Sequence, residues 1–157
     1  EALQYEAQLM AQLVAPRTTE RLWRSSFQMP IQGEISSTYG LRRGYNGGPP
    51  SDYHGGLDLA ADAGTPVHAA NAGRVVFAGT LKVRGNTVVI DHGWALYSGY
   101  YHMSAIGVQE GQTVTTGQTI GLVGSTGFST GDHLHWSIWA GGNLVDPELL
   151  LQWLLPE

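Results

Sequence analysis

The sequence predicts a mainly β fold: a compact antiparallel, sandwich-like domain with an N-terminal helix and a short C-terminal helix. Glycine makes up 22 of 157 residues, with seven prolines besides, about twice the usual ~7% glycine, as expected of many tight turns between short strands. Runs rich in β-branched and aromatic residues, Val75-Val76-Phe77 and Val88-Val89-Ile90 among them, stand between those turns. Helical periodicity is confined to the two ends of the chain.

Within residues 1–14, Leu3, Ala7, Met10 and Val14 recur at spacings of four, three and four with Glu and Gln between them, the pattern of an amphipathic helix. Pro16 ends it. One reading packs this helix on the domain; the other makes it the end of a coiled-coil stalk, for which two heptads are few. Residues 17–28 form a polar connector with Trp23 and Phe27 as anchors. The chain therefore divides into 1–28, helix and connector, and 29–157, the main domain.

In that domain Ile35–Tyr39 reads as a short strand, and Leu41–Tyr53 as a long Gly/Pro-rich loop feeding into His54. Such a loop is either a plain connection or a wall beside whatever His54 binds. Strands are expected at Val67–Ala70, Arg74–Ala78, Thr87–Asp91 and Leu96–Met103, the last an aromatic strand carrying His102. Val114, Ile120–Val123 and Leu134–Trp139 complete the sheet. Asp146-Pro147 reads as an N-cap followed by proline at the first helical position, opening a helix over Glu148–Leu155.

Composition narrows the function. With a net charge of −5 and 13% charged residues, the chain offers no basic surface of the kind nucleic acid requires. The absence of cysteine excludes thiolate metal sites, cysteine nucleophiles and disulfides. No apolar run approaches the ~20 residues of a membrane span. The first residue is Glu1 rather than Met, so a processed or trimmed piece of a longer protein is expected, with a coiled coil or other region preceding it.

The chemistry concentrates in two stretches. In Gly131-Asp132-His133-Leu134-His135-Trp136-Ser137 polar and apolar residues alternate with the period of a strand, which turns His133 and His135 to the same face. Upstream, His54-Gly55-Gly56-Leu57-Asp58 adds an imidazole and a carboxylate, and histidines with a carboxylate are a usual ligand set of catalytic zinc. His54 and Asp58 would lie about 13 Å apart on one straight strand, so the backbone must bend between them, which Gly55 and Gly56 permit. His133 and His135 are roughly 6.6 Å apart along a strand. One of the two can bind metal while the other faces what the metal binds. His68 and His92 stand outside these stretches and read as structural, and Asp132 reads as a turn residue.

Several separate segments in one order resemble the LytM or lysostaphin-type zinc metallopeptidases of family M23, the peptidoglycan endopeptidases. They are His54-Gly-Gly-Leu-Asp58, Tyr101-His102-Met103-Ser104, Gly111 through Gly121, Ser125-Thr-Gly127 and His133-Leu-His135, together spanning roughly Pro30 to Pro147. The resemblance implies one Zn2+ held by His54, Asp58 and His135, with His102 and His133 as the remaining active-site histidines. It also implies peptidoglycan peptides as substrate and a location outside the cytoplasm: periplasmic, at the cell wall, or secreted. A zinc peptidase needs a group that takes a proton from the attacking water, and the Glu of an H-E-x-x-H helix is one solution. No Glu stands beside any histidine here, which leaves the imidazoles of His102 and His133 as the candidates for proton transfer and for stabilising developing charge.

Three rivals are weighed against this. Gly127-Phe-Ser129-Thr-Gly131 matches the G-x-S-x-G pattern of serine hydrolases, but that pattern needs a strand before it and a helix after it, and here a strand follows. The glycine-rich run 111–121 resembles lipoyl and biotinyl carrier hairpins, yet the only lysine, Lys82, lies elsewhere. A non-catalytic LytM-like module that activates another cell-wall hydrolase is the third alternative, and such modules typically lack ligands that this chain retains.

Overall fold

The computed structural model describes residues 1–40, 42–43, 52–53 and 55–152. The expected mainly β, antiparallel architecture is borne out, with a helix at each end of the described chain. Helix α1 spans Ala2–Leu13. The strands are β1 Glu34–Ser37, β2 Arg42–Arg43, β3 Asp52–Tyr53, β4 Leu57–Ala60, β5 Pro66–His68, β6 Gly73–Leu81, β7 Gly85–Gly93, β8 Leu96–Met103, β9 Ala105–Ile106, β10 Thr113–Val114, β11 Thr119–Leu122, β12 His133–Ala140 and β13 Asn143–Val145. Helix α2 opens at Pro147 and runs to Gln152, with Asp146 Oδ1 accepting from the Glu148 amide at 3.0 Å as its N-cap. The rest of the helix expected to Leu155 lies outside the described residues.

The main sheet runs β1-β4-β12-β8-β7-β6-β10, with β13 pairing β12. A smaller sheet, β5-β11-β9, covers one of its faces. Between them lies the principal core. Leu134, Trp136 and Ile138 of β12, Leu57 and Leu59 of β4, and Val88 and Ile90 of β7 meet Val67 and Ile120 from the smaller sheet, the alternation of each strand sending every second residue inward. The expected anchors Trp23 and Phe27 are buried in this core. The connector around them is pinned by backbone bonds, Trp23 N to His92 O at 3.1 Å and Gln28 N to Ala70 O at 3.0 Å.

The opposite face of the main sheet is shared. Val89, Tyr97, Tyr101 and Trp139 form a second apolar cluster there, closed by Met10 and Val14 of α1. Of the two readings of this helix, packing on the domain is the observed one, and of the four positions its periodicity singled out, Met10 and Val14 are buried while the other two are not. Leu3 and Ala7 are exposed, whereas the carboxylate-bearing Glu6 is buried to 1% exposure. Helix α1 covers only part of the face. The remainder, over β4 and β12, carries His133, His135 and Ser137 in alternate positions.

Strand β4 was not foreseen. It pairs His135 with Asp58 and Trp136 with Leu57, bringing the two histidine-bearing stretches into one sheet. Gly56 serves that approach. A Cβ on it would meet the Trp136 carbonyl oxygen and stand 2.8 Å from both His135 Nε2 and Ser137 Oγ, so only glycine lets β4 enter so close beneath the β12 side chains. His54, and the part of the expected loop over 44–51, lie outside the described residues.

Candidate active site

Four of the five predicted site residues fall among the described ones, and they converge. On adjacent strands, His135 Nδ1 lies 2.9 Å from Asp58 Oδ1. His133 Nε2 lies 3.9 Å from the same oxygen. The His102 and His133 rings face each other with centroids 5.0 Å apart.

Each imidazole is oriented by what its other nitrogen touches. Ser137 donates its hydroxyl hydrogen to the Gly55 carbonyl oxygen at 3.2 Å and accepts from His135 Nε2 at 2.8 Å. In that arrangement the His135 ring proton sits on Nε2 and the Nδ1 lone pair points at the Asp58 carboxylate; with the Ser137 hydroxyl turned to Nε2 instead, Nδ1–H donates to Asp58 Oδ1. With the proton on Nε2 the pair presents an imidazole nitrogen and a carboxylate oxygen to a common centre, a donor set that suits zinc. Tyr101 stacks on the His135 ring, centroids 5.0 Å apart and planes within 8°. Among the described residues no group of three His, Cys, Asp or Glu is arranged to hold a metal ion; Asp58 and His135 are the pair that could, with His54 outside the described residues.

His102 and His133 are held in the opposite sense. His102 donates from Nδ1 to the Thr126 carbonyl oxygen at 2.7 Å, and His133 donates from Nδ1 to the Gly131 carbonyl oxygen at 2.8 Å. Both rings therefore carry their lone pair on Nε2. Burial lowers the His102 pKa below its ordinary value; the Thr126 carbonyl raises it in part, and neighbouring His133 lowers it again. That keeps the ring in its neutral, basic form near pH 7.

His102 reaches this position through a bulge. Between the pairs Val88↔Tyr100 and Asn86↔Met103, β8 carries one residue more than β7, and His102 adopts a φ of +64°. Strict alternation would send His102 to the face opposite Tyr101. The extra residue and the left-handed backbone return it to the Tyr101 face, a way in which bulges re-aim side chains beside active sites.

A cavity of about 750 Å3 adjoins these groups. Its floor includes His102, His135 and Trp139, and one wall is formed by Leu3, Ala7 and Met10 of α1. Four contributors were missed from sequence: Ser137, Tyr101 and the carbonyls of Thr126 and Gly131. Ser137 was within reach, since it continues the alternation His133, His135, Ser137 on one face. Backbone carbonyls leave no trace in residue types. His68 and His92 stay apart from the site, as expected. His92 is wholly buried, its ring between the Ala72 carbonyl at 2.8 Å and Ser98 Oγ at 2.7 Å.

Comparison with known families decides the membership. The Peptidase family M23 model matches residues 52–147, a span that includes both histidine-bearing stretches. The chain belongs to peptidase family M23. Over 129 residues it is 38% identical to peptidoglycan DD-endopeptidase ShyA of Vibrio cholerae, covering 81% of this chain and 30% of that protein. Over 124 residues it is 36% identical to the murein hydrolase activator NlpD of Escherichia coli, covering 78% of this chain and 30% of that protein. The chain thus spans less than a third of either of these M23 relatives. Among solved structures, an M23 protein from Pseudomonas aeruginosa superposes with a TM-score of 0.83 at 32% identity, over 96% of this chain and 60% of that one. A zinc-containing peptidase from Vibrio cholerae gives a TM-score of 0.76 at 31% identity, over 85% and 41% respectively.

Proposed function

We propose that the chain is the hydrolytic part of a zinc-dependent endopeptidase that cuts peptide bonds of peptidoglycan outside the cytoplasm, residues 29–157 forming the module and 1–28 its helix and connector. In this reading His54, Asp58 and His135 hold one zinc ion, His102 moves the proton and His133 orients the water. The observation that carries it is the matched pair of imidazoles, both with Nδ1 on a backbone carbonyl and Nε2 available for chemistry, beside an Asp58 carboxylate and a His135 nitrogen 2.9 Å apart whose donor types suit a metal ion.

Zinc bound there supplies Lewis-acid polarisation of the scissile carbonyl and lowers the pKa of its water toward ~7. Everything else falls to the chain. Neutral His102, with its proton fixed on Nδ1, offers Nε2 as an acceptor for the proton of the attacking water. His102, now carrying that proton on Nε2, returns it to the leaving amine, while His133, within ring contact of His102, orients the water through its Nε2 lone pair. Ser137 and Tyr101 hold the His135 ring in one tautomer and one plane. The peptide strand would lie in the cleft between α1 and the β12–β13 hairpin, where Leu144 joins the lining.

A second reading, a non-catalytic module that activates another cell-wall hydrolase, draws on the likeness to the murein hydrolase activator. Digestion separates them. Sacculi from two cell-wall chemotypes, incubated with the purified protein and resolved by mass spectrometry, should release peptide fragments with new amino termini, and a chelator should stop the release. Intact sacculi in both cases, with stimulation of an added murein hydrolase, would establish the activator.

A further inference from the structure

Helix α1 lies outside the family match of residues 52–147, yet it inserts a carboxylate into the domain. Glu6 is buried, and both its oxygens are engaged. Oε2 accepts from the Val83 amide at 2.6 Å, and Oε1 accepts from the Arg84 amide at 3.0 Å and from Arg84 Nη1 at 3.2 Å. Val83 and Arg84 belong to the turn over residues 82–84 between β6 and β7. A buried ion pair contributes little net stability compared with an apolar packing of similar volume, so a role other than stability is worth seeking for it.

The turn held by Glu6 faces the site with its carbonyls. The Arg84 carbonyl accepts from the His102 amide at 2.8 Å, and the Val83 carbonyl accepts from the Phe128 amide at 2.8 Å. Phe128 belongs to the loop whose Thr126 and Gly131 carbonyls fix the His102 and His133 rings. The Arg84 guanidinium lies over the Tyr101 ring, 5.4 Å from its centroid, and that ring stacks on His135. One short turn therefore has two of its amides on Glu6 and the carbonyls of the same two residues on the backbone that aims both imidazoles.

We propose that Glu6 is a positioning residue: its carboxylate fixes the Val83–Arg84 turn, and the turn sets the left-handed backbone of His102 and the loop that orients His102 and His133. This rests on the hydrolytic reading above only where turnover is the readout. The α1 helix thereby becomes part of the working enzyme rather than a passive cover.

The test uses the full chain with Glu6→Ala, Glu6→Gln and, as control, Val14→Ala, which loosens α1 at a buried apolar position and leaves the turn's partners intact. Melting temperature, zinc content, kcat and KM on solubilised peptidoglycan, and amide hydrogen exchange at His102 and Phe128 in chelated protein are measured. Glu6→Ala should lower kcat by about 10- to 100-fold while KM moves by no more than about twofold and zinc is retained, since small misplacement of catalytic groups costs rate. The His102 and Phe128 amides should exchange about tenfold faster or more. Glu6→Gln, which keeps an acceptor oxygen, should fall between Glu6→Ala and wild type, and it decides the matter should Glu6→Ala fail to fold. The proposal is overturned if Val14→Ala, at an equal loss of melting temperature, slows turnover as much, or if both Glu6 variants leave kcat and the two amides as in wild type. Should the wild-type chain hydrolyse nothing, it is the hydrolytic reading that fails, and amide exchange alone then decides the role of Glu6 by the same comparison.

Discussion

His135 Nδ1 faces Asp58 Oδ1 at 2.9 Å while its Nε2 lies 2.8 Å from Ser137 Oγ, so an imidazole and a carboxylate stand close enough to share a proton or a metal ion. That relationship yields the first expectation. The purified protein should carry about one zinc ion per chain and lose hydrolysis with a chelator. Asp58→Asn and His135→Ala should each lose metal and activity together, because two remaining ligands hold zinc poorly. Elemental analysis of the variants checks this; full zinc occupancy in His135→Ala would remove that residue from the ligand set.

Ser137 should matter to the metal without touching it. Ser137→Ala deletes the hydroxyl that meets His135 Nε2 at 2.8 Å, and loss of such a supporting partner typically weakens metal binding by about 10- to 100-fold. Competition against a chromophoric chelator measures it. Equal affinity in Ser137→Ala and wild type would mean that the Tyr101 stack alone suffices to hold the ring.

For His102 and His133 the signature is the reverse. His102→Ala and His133→Ala leave Asp58 and His135 in place and remove a proton acceptor or donor, a loss of about 10²- to 10⁴-fold in rate. Zinc per chain should stay near one while turnover collapses. If His133→Ala loses metal while His135→Ala keeps it, the two roles on β12 are exchanged.

Much of this site is legible in the residues, and the exceptions have physical causes. The alternation of β12 places His133 and His135 on one face because the side-chain period of a strand is two, and the structure follows it. Asp58 was expected near them, after a backbone bend at the glycines; the chain does bend at Gly56, and what was not foreseen is that Gly56 is also needed for the close approach of β4 to His135 and Ser137. His102 marks a limit. Its arrival on the Tyr101 face depends on a one-residue register shift against β7, and a register shift is a property of two strands together. Glu6 marks another, because helical periodicity sorts residues by polarity and counted as solvent-facing a carboxylate that finds two backbone amides 77 and 78 residues away.

The last expectation concerns stability in acid and involves no site residue. His92 is buried, and burial lowers its pKa to about 4 against the bonding to the Ala72 carbonyl and the charge of Asp91, which raise it. Its Nδ1–H donates to Ala72 O, its Nε2 accepts from Ser98, Ser98 Oγ lies 2.8 Å from Tyr100 Oη, and that oxygen accepts from the Ala70 amide at 3.0 Å. A proton on Nε2 would place two donors face to face in this relay. The unfolded chain protonates His92 below its ordinary value near 6.5, while the folded chain resists until about 4, so the unfolded state binds more protons across that window. The stabilisation from neutral His92 is thus complete above about pH 6.5, declines as pH falls, and is lost by about pH 4, a change on the order of 3 kcal/mol. Denaturant melts between pH 7.5 and 4, run with chelator so that zinc release does not contribute, should show this decline in wild type and a shallower one in His92→Gln. Parallel curves for the two proteins would mean that His92 is protonated in the folded state as readily as in the unfolded one.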